Sequence, residues 1–346
     1  MQQKALFRLA SVTKPVVSMA ALRLCDQGRI TLDDEVTKYL PAFRPRLPDG
    51  RTPRITLRHL LTHTAGLSYG HFQPVDGPYA ELGVSDGLDQ PGLNMEEELR
   101  RLEAAPLFYE PGSRWGYSLS VDVLGAALES AVSKSLPELV SELVTSPLGM
   151  VDTGFTVRDR ARLVKPYADG NPPMPMRELE VVPFMGLAGV RFAPARVFDP
   201  RSFASGGGGL VGTAHDIALA LEAVRSGGAG ILKESTARAM LSNQTGDLPT
   251  VFGPGYGFGF GGAVLVDPEQ AKSPQGAGTW TWGGAYGHSW FVDPQHGLVV
   301  VALTNTALEG MIGSFPARVR DAVYGGRLVL ADVRDFALET ARTGYI

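Results

Sequence analysis

The sequence predicts an α+β protein, in which an antiparallel sheet is flanked by helices and a mainly helical region lies beside it. Three observations predict this. Through residue 243, apolar residues recur at helical spacing between capping signals, most clearly in 11–27, 95–104 and 121–132. After that the texture changes to β-rich runs, 256–266, 279–292 and 298–305, joined by Pro and Gly turns as in an antiparallel meander. A last helical run, 315–324, is placed to pack on that sheet.

The totals bound the function. A chain of 346 residues builds one large domain or two lobes. Its 44% hydrophobic and 20% charged content is that of an ordinary globular protein. A net charge of -4 offers no basic field for nucleic acid or an anionic membrane. No run of eighteen apolar residues is present, so no membrane span is expected. Residues 1–25 faintly imitate a secretion signal, but Lys14 and Pro15 interrupt the apolar stretch, and a cytoplasmic protein is expected. The single cysteine, Cys25, sits at an apolar helix position and reads as a small buried hydrophobe.

Taken in order, the helix of 11–27 tolerates Pro15 because it falls in the first turn, and Gly28 stops it. A short helix is expected from Thr31 to just before Pro41, and another over 55–64, capped by Thr56. Residues 70–94 and 151–203, rich in Gly, Pro and Asp, read as loops. Glu110-Pro111-Gly112 is a turn, which puts Tyr117 at a loop-to-helix junction where a side chain can point into a cleft. Residues 137–143 continue the helical region, Thr213-Ala214-His215-Asp216 opens a helix over 217–225, and 233–243 is another. In the tail, 328–330 is strand-like and 333–342 helix-like.

The chemistry begins at Ser11-Val12-Thr13-Lys14. Residues three apart share a helix face, so the Lys14 amine returns onto the Ser11 hydroxyl. A serine is a weak nucleophile until a base takes its proton. A lysine serves as that base where burial disfavours the ammonium. Alone, Ser-x-x-Lys is more often an N-cap serine followed by a surface lysine. Two decoys follow. His59 and His63 have zinc-helix spacing without the Glu of His-Glu-x-x-His. Ser68 lies in Gly66-Leu67-Ser68-Tyr69-Gly70, which matches Gly-x-Ser-x-Gly but lacks the strand before and the helix after. Late in the chain, Trp282-Gly283-Gly284-Ala285 reads as a strand edge whose glycines admit a substrate to the backbone, where N–H groups can bind an oxyanion.

Together, Ser-x-x-Lys, Tyr117-Ser118 before a helix, and Trp-Gly-Gly on a late strand resemble the serine β-lactamase and penicillin-binding-protein superfamily. Within it the chain is most similar to the family VIII carboxylesterases. Glu110-Pro111-Gly112-Ser113-Arg114-Trp115, Ser205-Gly206-Gly207-Gly208-Gly209-Leu210 and Gly287-His288-Ser289-Trp290 carry the resemblance further. It implies a two-lobe fold: an α/β lobe from 1–54 and 246–346, and a helical lobe from 55–245, with the site between them. It implies Ser11 as the acylated nucleophile, Lys14 as base and Tyr117 as proton relay, with backbone N–H groups of Ser11 and Ala285 as the oxyanion hole. Trp282, Gly283 and Gly284 would bind substrate. Trp282 replaces the lysine that β-lactamases use to hold a substrate carboxylate, which favours neutral, hydrophobic esters and leaves weak β-lactamase activity open; short-chain acyl esters are expected because loops rather than a long apolar channel wall the cleft. No metal or cofactor is implied. The competing readings are a β-lactamase or D-alanyl peptidase, an acyltransferase and a catalytically impaired binding module.

The chain departs from the family at three points. Leu119 stands where an Asn is expected, with Ser118 or Ser120 as partial substitutes. Ten residues precede Ser11, where relatives carry a helix and two strands; pairing of 327–330 as a replacement strand, or a homodimer through the sheet edge, would fill the gap. The tail does not match the family.

Overall fold

The computed structural model describes residues 2–325. The strand-like and helix-like runs expected at 327–330 and 333–342 lie outside the described residues. The chain opens with strand β1 (Phe7–Arg8), a 3-10 turn (Ala10–Val12) and helix α1 (Thr13–Asp26). The stretch that imitates a secretion signal is this core helix, in which Lys14, Val17, Met19, Ala20 and Leu24 are buried. Its burial on nearly all sides explains why its apolar residues run on without a clear polar face.

Helix α2 (Leu57–Leu61) begins at Thr56, which forms a capping box with His59. Helices α3 (Pro78–Leu82), α4 (Met95–Ala104), α5 (Ser120–Val132) and α6 (Leu136–Val140) follow, the last running into a π turn (Ser141–Thr145). Helix α1 packs against α5, α6 and that turn. The expected helix after Thr31 is only a 3-10 turn, Val36–Lys38. Asp34 accepts the Thr31 N–H (2.8 Å) and the Tyr39 hydroxyl (2.6 Å), so its side chain closes the segment locally before Pro41 ends it.

The segment expected as loop over 151–203 contains two small hairpins, β2 (Tyr167–Ala168) with β3 (Met174–Pro175) and β4 (Glu180–Val182) with β5 (Val190–Phe192). Strand β6 (Val211–Gly212) pairs with β1 and so places the glycine-rich run before it beside the start of α1. Helix α7 (Ala214–Arg225) is capped by Thr213, whose hydroxyl accepts the Asp216 N–H (3.2 Å). It lies against the late sheet, and its apolar face of Ile217, Leu221 and Val224 is buried. Helix α8 (Glu234–Met240) follows.

The sheet has five antiparallel strands: β7 (Tyr256–Phe258), β8 (Ala263–Leu265), β9 (Trp280–Gly284), β10 (His288–Asp293) and β11 (Leu298–Leu303), in the order β11-β10-β9-β8-β7. Two of the three expected runs each fold back on themselves. Gly261 (φ 83°) and Gly287 (φ 107°) take the left-handed backbone that reverses the chain, so each run becomes a hairpin. Helices α9 (Glu309–Ile312) and α10 (Ser314–Val323) close the described chain, and α9 packs on β9 and β10. Among the described residues β11 has β10 as its one strand neighbour in this sheet, which leaves its other edge open. No helix among the described residues is long and apolar enough to cross a membrane.

Candidate active site

Ser11 is not an N-cap. It lies in the 3-10 turn before α1, and neither end of that turn has a side-chain cap. Its Oγ instead meets two other side chains. The Lys14 Nζ donates to it at 3.2 Å, and the Tyr117 hydroxyl donates at 2.6 Å. The i,i+3 spacing accounts for the first contact; the loop-to-helix junction before α5 supplies the second. Ala10, immediately upstream, holds φ at 45°, a left-handed conformation that costs a non-glycine residue about 1–2 kcal/mol. That bend turns the nucleophile toward the cleft.

Lys14 is fully buried and is anchored twice more, to the Tyr69 hydroxyl (2.8 Å) and the Gly207 carbonyl (2.8 Å). Its Nζ also sits 4.6 Å from the centroid of the Tyr117 ring. The Gly207 carbonyl is itself held in place, because the buried Asp122 carboxylate accepts the Gly207 N–H (3.2 Å) and the Ser205 hydroxyl (2.5 Å). Burial pushes the Asp122 carboxyl above its usual value, against the pull of the Lys14 charge. A Cβ at Gly207 would strike that carboxylate, which explains the glycine there.

Trp282, on β9, donates its indole N–H to the Tyr117 hydroxyl at 3.3 Å and packs on Phe258 and Phe252. Gly283 lines the cavity. Gly284 does not; it is pressed against the turn before α1, where a Cβ would collide with the Leu9 carbonyl. Ala285 lines the cavity, its carbonyl accepts the Leu308 N–H (3.1 Å), and its own N–H and that of Ser11 have no hydrogen-bond partner among the described residues. The cavity, about 1030 Å³, is walled by Tyr69, Phe72, Phe184, Phe252 and Trp282, and extends between the outer sheet face and α10.

The structure corrects the expectation for Ser118 and Ser120. Ser118 and Ser120 do not replace the missing polar group at Leu119. They bond each other (2.8 Å), and Ser118 faces the His63 Nδ1 (3.2 Å), while Leu119 is buried in the core. Tyr69 is the residue that reaches Lys14, from inside the very motif set aside with Ser68. Of the decoys, Ser68 donates only to a backbone carbonyl (3.2 Å). His59 is part of a helix cap, and His63 is buried and held well below its usual pKa by burial and the charge of Lys14. No group of metal-ligating side chains occurs among the described residues. The Cys25 thiol is pushed up to about 11 by burial, as suits a packing residue.

A sheet-and-helix fold with a serine hydroxyl shared between a buried lysine and a tyrosine defines a serine hydrolase of the penicillin-recognising type. The β-lactamase family model matches residues 1–323, and the chain belongs to that family. It is 51% identical over 327 residues to esterase EstB of Burkholderia gladioli, covering 94% of this chain and 83% of that one. The solved structure of EstCE1, a hydrolase with promiscuous acyltransferase activity, superposes with a TM-score of 0.89 at 46% identity, over 94% of this chain and 86% of the other. These two place the chain with the family VIII esterases. Simvastatin synthase (LovD) from Aspergillus terreus shares the fold, with a TM-score of 0.72 at 22% identity over 94% and 85% of the two chains.

Proposed function

We propose that this protein is a carboxylesterase that cleaves short-chain, neutral esters through an acyl-enzyme on Ser11. The observation that carries the reading is the convergence of Lys14 (3.2 Å) and Tyr117 (2.6 Å) on one serine oxygen beside a large apolar cavity. As the Ser11 Oγ bonds to the ester carbonyl carbon, its proton passes to the Lys14 amine. The carbonyl electron pair moves onto oxygen, toward the free amides of Ser11 and Ala285. Collapse of this intermediate expels the alkoxide, which takes the Tyr117 proton, and Tyr117 is reprotonated from Lys14. Water then gives its proton to the same pair, attacks the acyl carbon and returns Ser11 as the alcohol. No step calls on a metal or cofactor. Trp282 offers an indole N–H and apolar surface rather than a cation, which supports neutral esters over carboxylate-bearing β-lactams.

In this reading the cleft separates an α/β lobe, 2–54 and 246–325 among the described residues, from a helical lobe of 55–245. Ser11, Lys14, Trp282 and Ala285 come from the first; Tyr69, Tyr117 and Gly207 come from the second. The β11 edge, open among the described residues, is where a second copy would pair to give a homodimer, and light scattering that finds monomer at every concentration would remove that part.

The test is hydrolysis of p-nitrophenyl butyrate, with nitrocefin beside it, by the protein and by Ser11→Ala at matched circular dichroism. The ester should turn over well and nitrocefin poorly. The variant should lose about 10⁴-fold or more in kcat/KM. Equal activity in the variant would overturn the assignment of Ser11.

A further inference from the structure

His71 is a polar group in the cleft that the esterase mechanism leaves unused. It lies in a 3-10 turn, Gly70–Phe72, and its ring stacks on Tyr69 at 4.9 Å with 23° between the planes. Phe72 (4.5 Å) and Phe184 (5.6 Å) hold the ring from other sides. Its Nδ1 lies 2.9 Å from the Asp86 Oδ2. The same carboxylate accepts the backbone N–H groups of Gly70 (2.6 Å) and His71 (3.2 Å). Burial pushes the Asp86 carboxyl up, but the charge and hydrogen bond of His71 and these two N–H groups bring it below its usual value. A carboxylate only accepts, so Nδ1 carries a proton, and whenever the ring is neutral Nε2 is its hydrogen-bond acceptor. Nε2 has no partner among the described residues, and the ring lines the same cavity as Ser11.

We propose that the His71 Nε2 recognises a hydroxyl on the alcohol portion of the ester, so that the enzyme favours glycol- or glycerol-type esters. This rests on the acyl-enzyme reading, in which Tyr117 protonates the leaving alkoxide and the alcohol therefore lies on the Tyr117 side of Ser11. Tyr69 (5.0 Å from Tyr117) and Phe72 (6.2 Å) lead from that side to His71. A hydroxyl donates to Nε2; a methyl ether of the same shape does not. The alcohol leaves before deacylation, so the preference belongs to acylation and is read in kcat/KM.

The experiment compares kcat/KM for 2-hydroxyethyl, 2-methoxyethyl and propyl butanoate in the wild type and His71→Leu. The wild type should prefer the hydroxyethyl ester by roughly fivefold to tenfold over both others, the span of one net hydrogen bond. In His71→Leu the ratio should fall to about one; any effect on the shared machinery cancels within each enzyme. Equal wild-type rates on the three esters, or a preference that survives in His71→Leu, would overturn the proposal while leaving the esterase reading intact. Failure of the wild type to hydrolyse any of them would overturn both.

Discussion

The amine of Lys14 ends on three oxygens, and each comes from a different part of the chain: Ser11, Tyr69 and Gly207. Removing one anchor should loosen the amine without emptying the site. Tyr69→Phe is expected to lower kcat about tenfold with KM little changed, as fits loss of one of the three hydrogen bonds that hold the amine; steady-state kinetics on p-nitrophenyl butyrate check this. At Trp282, a Trp282→Lys variant returns a cation to the cleft, and the ratio of nitrocefin to ester turnover should rise; an unchanged ratio would show that the indole does not set the preference. The sequence displayed part of this cluster and hid part. Ser11 and Lys14 were legible because helix geometry alone brings i and i+3 together. Tyr117 was legible through its motif. Tyr69 was not, because its bond to Lys14 spans 55 residues and no local pattern records it. The loss of a polar side chain at Leu119 was visible, but its replacement from a different loop was a tertiary fact.

At the scale of elements, the nucleophile turn is held against β9 by a glycine. A Gly284→Ala side chain would meet the Leu9 carbonyl, so the strand and the turn must part. The expected cost is roughly 1–3 kcal/mol, read as a lower unfolding midpoint together with lost activity. A second tie is electrostatic. The buried His288 donates its Nε2 proton to the Arg8 carbonyl (2.9 Å), joining β10 to β1. Burial lowers its pKa from the ordinary 6.5 to about 4. A depressed folded pKa means that the unfolded chain binds more protons over that window. The stability contributed by His288 is therefore complete above about pH 6.5 and lost as the pH falls to about 4, a change of about 3 kcal/mol. Urea unfolding across that range should show the slope, and His288→Gln should reduce it. Alternation of residue types revealed β structure over 256–266 and 279–292, yet the reversals at Gly261 and Gly287 were missed. Glycine in a strand-like run marks a bulge, a close approach or a turn, and sequence does not choose among them.

For the whole molecule, the site is a meeting of distant segments, with Ser11 in the turn before the first helix and Lys14 in its first turn, Tyr69 and Tyr117 between the helices, and Trp282 on the sheet. The α+β class was legible because helical and strand periodicities occupy separate halves of the chain. The packing of α7 on the sheet was not, since an amphipathic helix does not say which apolar surface it covers. The proposed mechanism requires that the acylated oxygen be that of Ser11. The most direct measurement is to treat the folded protein with diethyl p-nitrophenyl phosphate, which phosphorylates a nucleophilic serine with release of p-nitrophenolate to leave a tetrahedral adduct, and map that adduct by peptide mass spectrometry. One diethylphosphoryl group on the peptide carrying Ser11, formed in step with loss of esterase activity and absent in Lys14→Met, is the predicted result. Inactivation with the label on Ser68, or on any residue other than Ser11, would contradict it.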